Sequence, residues 1–142
     1  MKKHLFIVFL FSCGFSFAQA WESSFNLAQT KAAETNKKVL LVFSGSDWCI
    51  PCIRLEDKVW KSAEFQAFAK EKLYMYRADF PKRKKNQLPA AKKEENEQLA
   101  SQYNSKGYFP WVVVFSSKGE VLGVFAYEDK AVAEYIKTID AL

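Results

Sequence analysis

The chain has 142 residues, 49% of them hydrophobic, and carries a formal net charge of +5. This length and apolar content fit one compact domain and argue against a second one. The basic run Lys82–Lys85 is followed by acidic residues within positions 94–97, so we interpret it as a solvated loop and expect no nucleic-acid partner.

The first twenty residues have the layout of a secretory signal peptide. A short basic start is followed by the apolar run Leu5–Phe11, and small residues suited to a signal peptidase stand at Ala18 and Ala20. The apolar run is shorter than the ~20 residues that span a bilayer, which argues against a membrane anchor. We expect residues 1–20 to be removed, by cleavage after Ala18 or Ala20, and residues 21–142 to form the exported domain.

Cys13 offers a second processing route, in which the protein becomes a lipoprotein. Such a site needs small residues just before the cysteine; Ser12 meets this requirement, whereas Phe11 fits it poorly. We therefore keep lipoprotein processing as a minor alternative and expect an exported, periplasmic protein.

The hydrophobic pattern of the exported part alternates helices and strands. In chain order we expect a helix over 22–36, a buried strand over 39–43, a helix from 51 to about 70 with a break near 61–62, a strand over 73–78, a polar loop over 80–93, a helix over 94–103, a strand over 111–115, a hairpin turn over 117–120, a strand over 121–127 and a helix over 129–141.

This order predicts an α/β fold. Its βαβ portions favour parallel strands with right-handed crossovers, and the turn Ser117–Glu120 adds an antiparallel strand at the edge. A mixed four-stranded sheet sandwiched by helices follows.

Two cysteines remain after the leader, Cys49 and Cys52, and they form a CxxC motif where the first strand leads into a helix. Free N–H groups and the helix dipole at that position stabilise a thiolate, which predicts Cys49 as the nucleophile. Cys52 lies nearly one turn further on; we expect it to be more buried and to resolve the mixed disulfide. A bridge across so short a loop stabilises a fold only weakly, so chemistry explains the pair better.

Other uses of the two cysteines are less well supported. A closed zinc site needs about four ligands, and the exported part offers two thiolates and no histidine. We therefore expect no metal and no cofactor, while Cu(I) binding by the two thiolates and a purely structural disulfide stay open as alternatives.

The segment Trp48-Cys49-Ile50-Pro51-Cys52 resembles the active site of the thioredoxin family, and Phe109-Pro110 resembles the cis-proline loop that faces it. The similarity covers the exported part in element order, and it extends to exported members such as the DsbD-type thiol-reducing C-terminal domain. It implies a thioredoxin-like fold, a redox-active Cys49–Cys52 disulfide and a substrate-binding surface that includes Trp48, Phe109 and Pro110.

Two positions depart from the thioredoxin pattern. Phe43 stands where thioredoxin has a buried acid, six residues before the first cysteine. Glu56 is the candidate replacement, because it is four residues after Cys52 on the same helix face and the DsbD-type resemblance also places an acid there. An ordinary exposed helix glutamate is the alternative. The bulky Phe109 and Trp111 around Pro110 bear on substrate specificity.

The leading hypothesis is a monomeric thiol–disulfide oxidoreductase that reduces disulfides in exported proteins. Ile50-Pro51 between the cysteines resembles reducing family members, whereas oxidants and isomerases often carry histidine there. A reductase outside the cytoplasm implies a membrane or periplasmic thiol electron donor. The alternatives are a disulfide oxidant or isomerase, and a non-catalytic peptide-binding module with a structural CxxC disulfide.

Overall fold

The computed structural model describes residues 21–142, so the predicted leader, its cleavage sites and Cys13 lie outside the described residues. Five α-helices and four strands follow one another: α1 Phe25–Thr35, β1 Lys38–Ser44, α2 Ile50–Leu55, α3 Ala63–Lys72, β2 Leu73–Asp79, α4 Ala90–Tyr103, β3 Trp111–Phe115, β4 Val121–Ala126 and α5 Val132–Ala141. A π-helical turn, Glu56–Trp60, continues α2, and a 3-10 turn, Lys84–Asn86, lies in the loop before α4. None of the helices in residues 21–142 is long and apolar enough to cross a membrane.

The strands form one mixed sheet in the order β2-β1-β3-β4. β1 pairs with β2 in parallel, and β3 pairs with both β1 and β4 antiparallel. Helices cover both faces, so the predicted α/β fold with a mixed four-stranded sheet is confirmed.

The direction of β3 corrects the expectation that each βαβ portion holds parallel strands. The chain leaves β2 at Asp79 and enters β3 at Trp111, and these residues pair with Ser44 and Phe43 at the same end of β1. The connection through α4 therefore returns to the end of the sheet from which it departed, and the next strand has to run in the opposite direction.

The start of one helix also differs from expectation. Helix α4 begins at Ala90, four residues early, because Pro89 stands at its N-cap with a backbone angle that suits a helix start. The predicted break near Lys61-Ser62 is confirmed, since the Ser62 hydroxyl caps α3 by accepting a hydrogen bond from Phe65 N. The helical spacing of residues 51–70 predicts an inward-facing Ile53, whereas this side chain is exposed in the structure.

Strand β1 is the centre of the core and is buried on both faces. Leu40 and Val42 point toward α3 and α5, whereas Leu41 and Phe43 point toward α1 and α4. Each of these side chains is at most 2% exposed. Burial of one such side chain stabilises the fold by about 1.5–3 kcal/mol, so β1 holds the sheet's two layers together and fixes where its carboxyl end lies.

A buried polar contact fastens α4 to that same end of the sheet. Asn96, 1% exposed, accepts a hydrogen bond from the Tyr76 hydroxyl at 2.6 Å and donates one to the Asp79 carbonyl at 2.9 Å. Loss of the Asn96 amide would remove one hydrogen bond from each of these two groups, and a lost hydrogen bond inside a protein is costly.

We therefore expect Asn96→Ala to lower the free energy of unfolding by about 1–3 kcal/mol, because the Tyr76 hydroxyl and the Asp79 carbonyl each lose a hydrogen bond. Urea denaturation measures this change. Glu97→Ala, at the exposed neighbouring position, is the control and should stay within about 0.5 kcal/mol of the unchanged protein. Equal effects of the two substitutions would contradict the structural role of Asn96.

Candidate active site

The CxxC motif follows a tight turn at the carboxyl end of β1. The Gly45 carbonyl accepts hydrogen bonds from Trp48 N at 3.2 Å and from Cys49 N at 2.9 Å, which closes the turn. Cys49 is the N-cap of α2, and Pro51 occupies the first turn of that helix. The predicted placement of Cys49 at a helix start is therefore present in the structure.

Cys49 and Cys52 form a disulfide, with their Cα atoms 5.2 Å apart. Cys52 N donates a hydrogen bond to Cys49 Sγ at 3.3 Å, and no side-chain group within residues 21–142 donates a further one to that sulfur. Both residues are 4% exposed, so the expectation that Cys52 would be the more buried one is not met in the disulfide form. The backbone N–H of Cys52 at the helix start thus donates to Cys49 Sγ, the sulfur that the sequence predicts as the nucleophile.

Trp48 is held from several sides. Its indole Nε1 donates to the Phe80 carbonyl at 2.8 Å, and its ring meets the Phe109 ring edge-on at a centroid distance of 5.4 Å. Lys82 Nζ lies 3.9 Å from the centre of the indole ring. A Cβ at Gly45 would stand 2.3 Å from the indole, so this position has room only for glycine while Trp48 keeps its place.

The peptide bond between Phe109 and Pro110 is cis, as the resemblance implied. Pro110 is buried, and Phe109 is half-buried because it packs against both Trp48 and Phe80. Tyr108, just before it, is 50% exposed. Phe109 therefore supports the site as well as lining it, while Tyr108 offers more free surface.

An apolar groove of about 390 Å³ runs beside the disulfide. Its lining includes Pro51, Tyr108, Phe109, Trp111 and Tyr127. Sequence reasoning assigned Phe109 to this surface but missed Tyr108, although a tyrosine directly before a Phe-Pro pair was a usable signal. It also missed Ile50, which is 58% exposed between the two cysteines.

A separate polar pocket lies behind Cys52. Cys52, Glu56 and Arg77 all line it, and the Glu56 carboxylate forms an ion pair with the Arg77 guanidinium. That guanidinium also lies over the Trp21 ring, 4.1 Å from its centre. The Glu56 side chain is thus partly buried and ion-paired. In the sequence, Arg77 could have been recognised as a single cation in the otherwise mostly apolar strand β2.

Phe43 is fully buried between the sheet and the α1–α4 layer, so no acid stands at that position.

Asp47, next to Trp48, accepts hydrogen bonds from Lys82 N and Arg83 N at 2.9 Å and from the Asn86 amide at 3.0 Å. The hydrogen bond from Lys82 N is the main reason why the pKa of Asp47 is lowered. The Asp47 carboxylate therefore stabilises the loop at pH values above its ordinary pKa, and this stabilisation is lost as the pH falls through the lowered pKa.

Within residues 21–142 there is no group of three or more His, Cys, Asp or Glu side chains placed to hold a metal ion. The arrangement that the described residues do form is a redox-capable dithiol pair between an apolar groove and a polar pocket.

Comparisons with known proteins agree with this geometry. The thioredoxin-like family matches residues 20–117. The disulfide bond reductase DsbH of Chlamydia pneumoniae is 34% identical over 119 residues, which make up 84% of this chain and 69% of that protein. A solved structure described as DsbH oxidoreductase is 32% identical with a TM-score of 0.78, covering 86% of this chain and 82% of that one.

A more distant solved structure, the reduced C-terminal domain of Neisseria meningitidis DsbD, is 23% identical with a TM-score of 0.57. It covers 82% of this chain and 90% of that one. At this identity the similarity supports the fold alone.

The contact between Gly45 and Trp48 can be tested by a double-mutant cycle. We expect Gly45→Ala to lower the free energy of unfolding by about 1–3 kcal/mol, because the added methyl group overlaps the indole. In a Trp48→Ala background the same change should cost much less. Urea denaturation of the four proteins measures the coupling, and an equal cost in both backgrounds would show that Trp48 is not the obstacle.

Proposed function

The chain belongs to the thioredoxin-like family and is a thiol–disulfide oxidoreductase, and we propose that it reduces disulfides in exported proteins. The observation that carries this proposal is a CxxC disulfide at the start of a helix, bordered by the exposed apolar side chains Ile50 and Tyr108. A client disulfide can reach Cys49 over such a surface, because polypeptide binding favours exposed aromatic and aliphatic groups near the reacting atom.

The proposed reaction transfers two electrons from the dithiol to the client. The Cys49 thiolate attacks one sulfur of the client disulfide, so a mixed disulfide forms and the first client thiolate leaves and takes up a proton. Cys52 then loses its proton and attacks Cys49 Sγ, which breaks the mixed disulfide and releases the second client thiol. The protein ends with the Cys49–Cys52 disulfide, and a thiol donor has to return it to the dithiol form.

The reducing direction is supported by the lack, among the described residues, of a side chain that adds to the helix start in stabilising a Cys49 thiolate. Strong oxidants of this chemistry owe their potential to a stabilised reduced form. Within residues 21–142, the donor to Cys49 Sγ is one backbone N–H, that of Cys52, and the residue between Cys49 and Pro51 is an isoleucine. The Chlamydia pneumoniae relative is named a reductase, which favours the same direction.

Export is the second part of the proposal. It is supported by the basic, apolar and small-residue succession of residues 1–20, with processing after Ala18 or Ala20. We place the protein in the periplasm as a monomer, with disulfide-containing exported proteins as clients and a membrane or periplasmic thiol protein as electron donor.

Glu56 is our candidate for the proton acceptor when Cys52 becomes a nucleophile. The two residues line one pocket, and the ion pair with Arg77 holds the Glu56 carboxylate at its wall. A carboxylate held near a reacting thiol can take its proton directly or through one water molecule. Phe43 occupies the position of the buried acid in thioredoxin, so the proton of Cys52 needs a different acceptor here.

Equilibration with glutathione tests the direction. We expect a reduction potential closer to that of thioredoxin, about −270 mV, than to that of the oxidant DsbA, about −120 mV. Reduced protein should then reduce insulin, and Cys49→Ser should abolish the activity. Cys52→Ser should trap mixed disulfides with exported proteins. A potential near the oxidant's value would overturn the reductase assignment.

Stopped-flow kinetics of the two chemical steps test Glu56. We expect Glu56→Gln to slow the attack of Cys52 on the mixed disulfide at least about tenfold, because the variant keeps the shape but cannot accept a proton. The first attack by Cys49 should change much less. Glu64→Gln, an exposed position on α3, is the matched control. Equal second-step rates in the two variants would leave water as the proton acceptor.

A further inference from the structure

We propose that the basic loop, formed by Lys82, Arg83, Lys84 and Lys85, recognises acidic segments of client proteins beside the disulfide that is being reduced. This inference rests on the proposed function and adds a class of client to it. It also revises the interpretation of these residues as a merely solvated loop.

The basic loop forms one border of the active site. Lys82 Nζ lies over the indole of Trp48, the residue that directly precedes Cys49. Phe80, just before the loop, meets the Phe109 ring edge-on at a centroid distance of 5.5 Å. A client whose sulfur reaches Cys49 can therefore contact the apolar groove and the basic loop at the same time.

Hydrogen bonds give the basic loop a defined shape. The Asp47 carboxylate accepts from the backbone N–H groups of Lys82 and Arg83 and from the Asn86 side chain. The Gln87 amide closes the far side by donating to the Pro81 carbonyl at 2.8 Å. Backbone that is already ordered in the free protein loses less entropy on binding, which favours recognition by this segment.

The positive charge of the basic loop is not neutralised by ion pairs. All four side chains are exposed, and none of the ion pairs formed within residues 21–142 includes them. The Asp47 carboxylate beneath the loop offsets one of these four charges, so an excess of positive charge remains. Such an excess raises the local concentration of anionic ligands and speeds their association.

The extent of the patch favours an acidic polypeptide over an anionic bilayer. Lys92 and Lys93 on α4 are followed by exposed Glu94 and Glu97, and Lys92 is paired with Glu95, so the excess of positive charge does not extend along that helix. A flat anionic surface needs a broad cationic face, whereas a few acidic side chains next to a client cysteine fit a patch of four residues.

Three disulfide peptides of identical length test the proposal, with Glu, Gln or Lys at the positions that flank one cysteine. We expect the reduced protein to react with the Glu peptide at least about three times faster than with the Gln peptide at low ionic strength. In 1 M salt, where the Debye length is about 3 Å, the ratio should approach one.

Two variants with the same change of charge locate the effect. In Lys84→Gln/Lys85→Gln the ratio of Glu-peptide to Gln-peptide rates should fall close to one. In Lys118→Gln/Lys137→Gln it should stay as in the unchanged protein. Lys118 is the matched control position because it lies in the β3–β4 turn, at the end of the sheet opposite to Cys49.

A ratio near one in the unchanged protein at low salt would overturn the proposal, as would an equal fall in both double variants. Sedimentation with phosphatidylglycerol vesicles that depends on Lys84 and Lys85, together with a ratio near one, would assign the loop to a membrane instead. In each of these outcomes reduction of the Gln peptide still supports the proposed reductase. Failure to reduce any of the three peptides would overturn that function itself.

Discussion

The close approach of the Trp48 indole to Gly45 is the contact on which the rest of the site depends. The indole packs against the turn that carries the chain from β1 into α2, and the Gly45 carbonyl closes this turn by accepting hydrogen bonds from Trp48 N and Cys49 N. The same indole is the common neighbour of Phe109 from the cis-proline loop and of Lys82 from the loop after β2. One side chain thus sets the relative positions of three segments that meet at the disulfide.

These segments meet because three strands have their ends there. The carboxyl ends of β1 and β2 and the beginning of β3 are adjacent in the sheet. The antiparallel direction of β3 is essential to this arrangement, since a parallel β3 would have begun at the opposite end. Asn96 supports the same end from within α4, through the Asp79 carbonyl. The fold therefore supplies a rigid frame, and the chemistry lies on the loops that the frame holds.

Three surfaces of different chemical character surround the disulfide. An apolar groove with Tyr108 lies on one side, the basic loop lies near Trp48 on another, and the ion pair of Glu56 and Arg77 lies behind Cys52. Exposed apolar surface suits a polypeptide client, and the excess of positive charge in the basic loop suits acidic residues in that client. A held carboxylate suits the movement of a proton during the second exchange step. Each region thus matches a different requirement of one reaction.

Local patterns in the sequence were enough for the features that depend on neighbouring residues. These are the doubly buried strand β1, the capped start at Ser62 and the placement of Cys49 before Pro51, because propensity and capping act over a few residues. The cis bond before Pro110 followed from family resemblance rather than from local physics. Only the tertiary structure decided the direction of β3, the pairing of Glu56 with Arg77 and the stacking of Lys82 on Trp48. Each of these joins residues more than twenty positions apart, and such contacts are set by how helices and strands pack together.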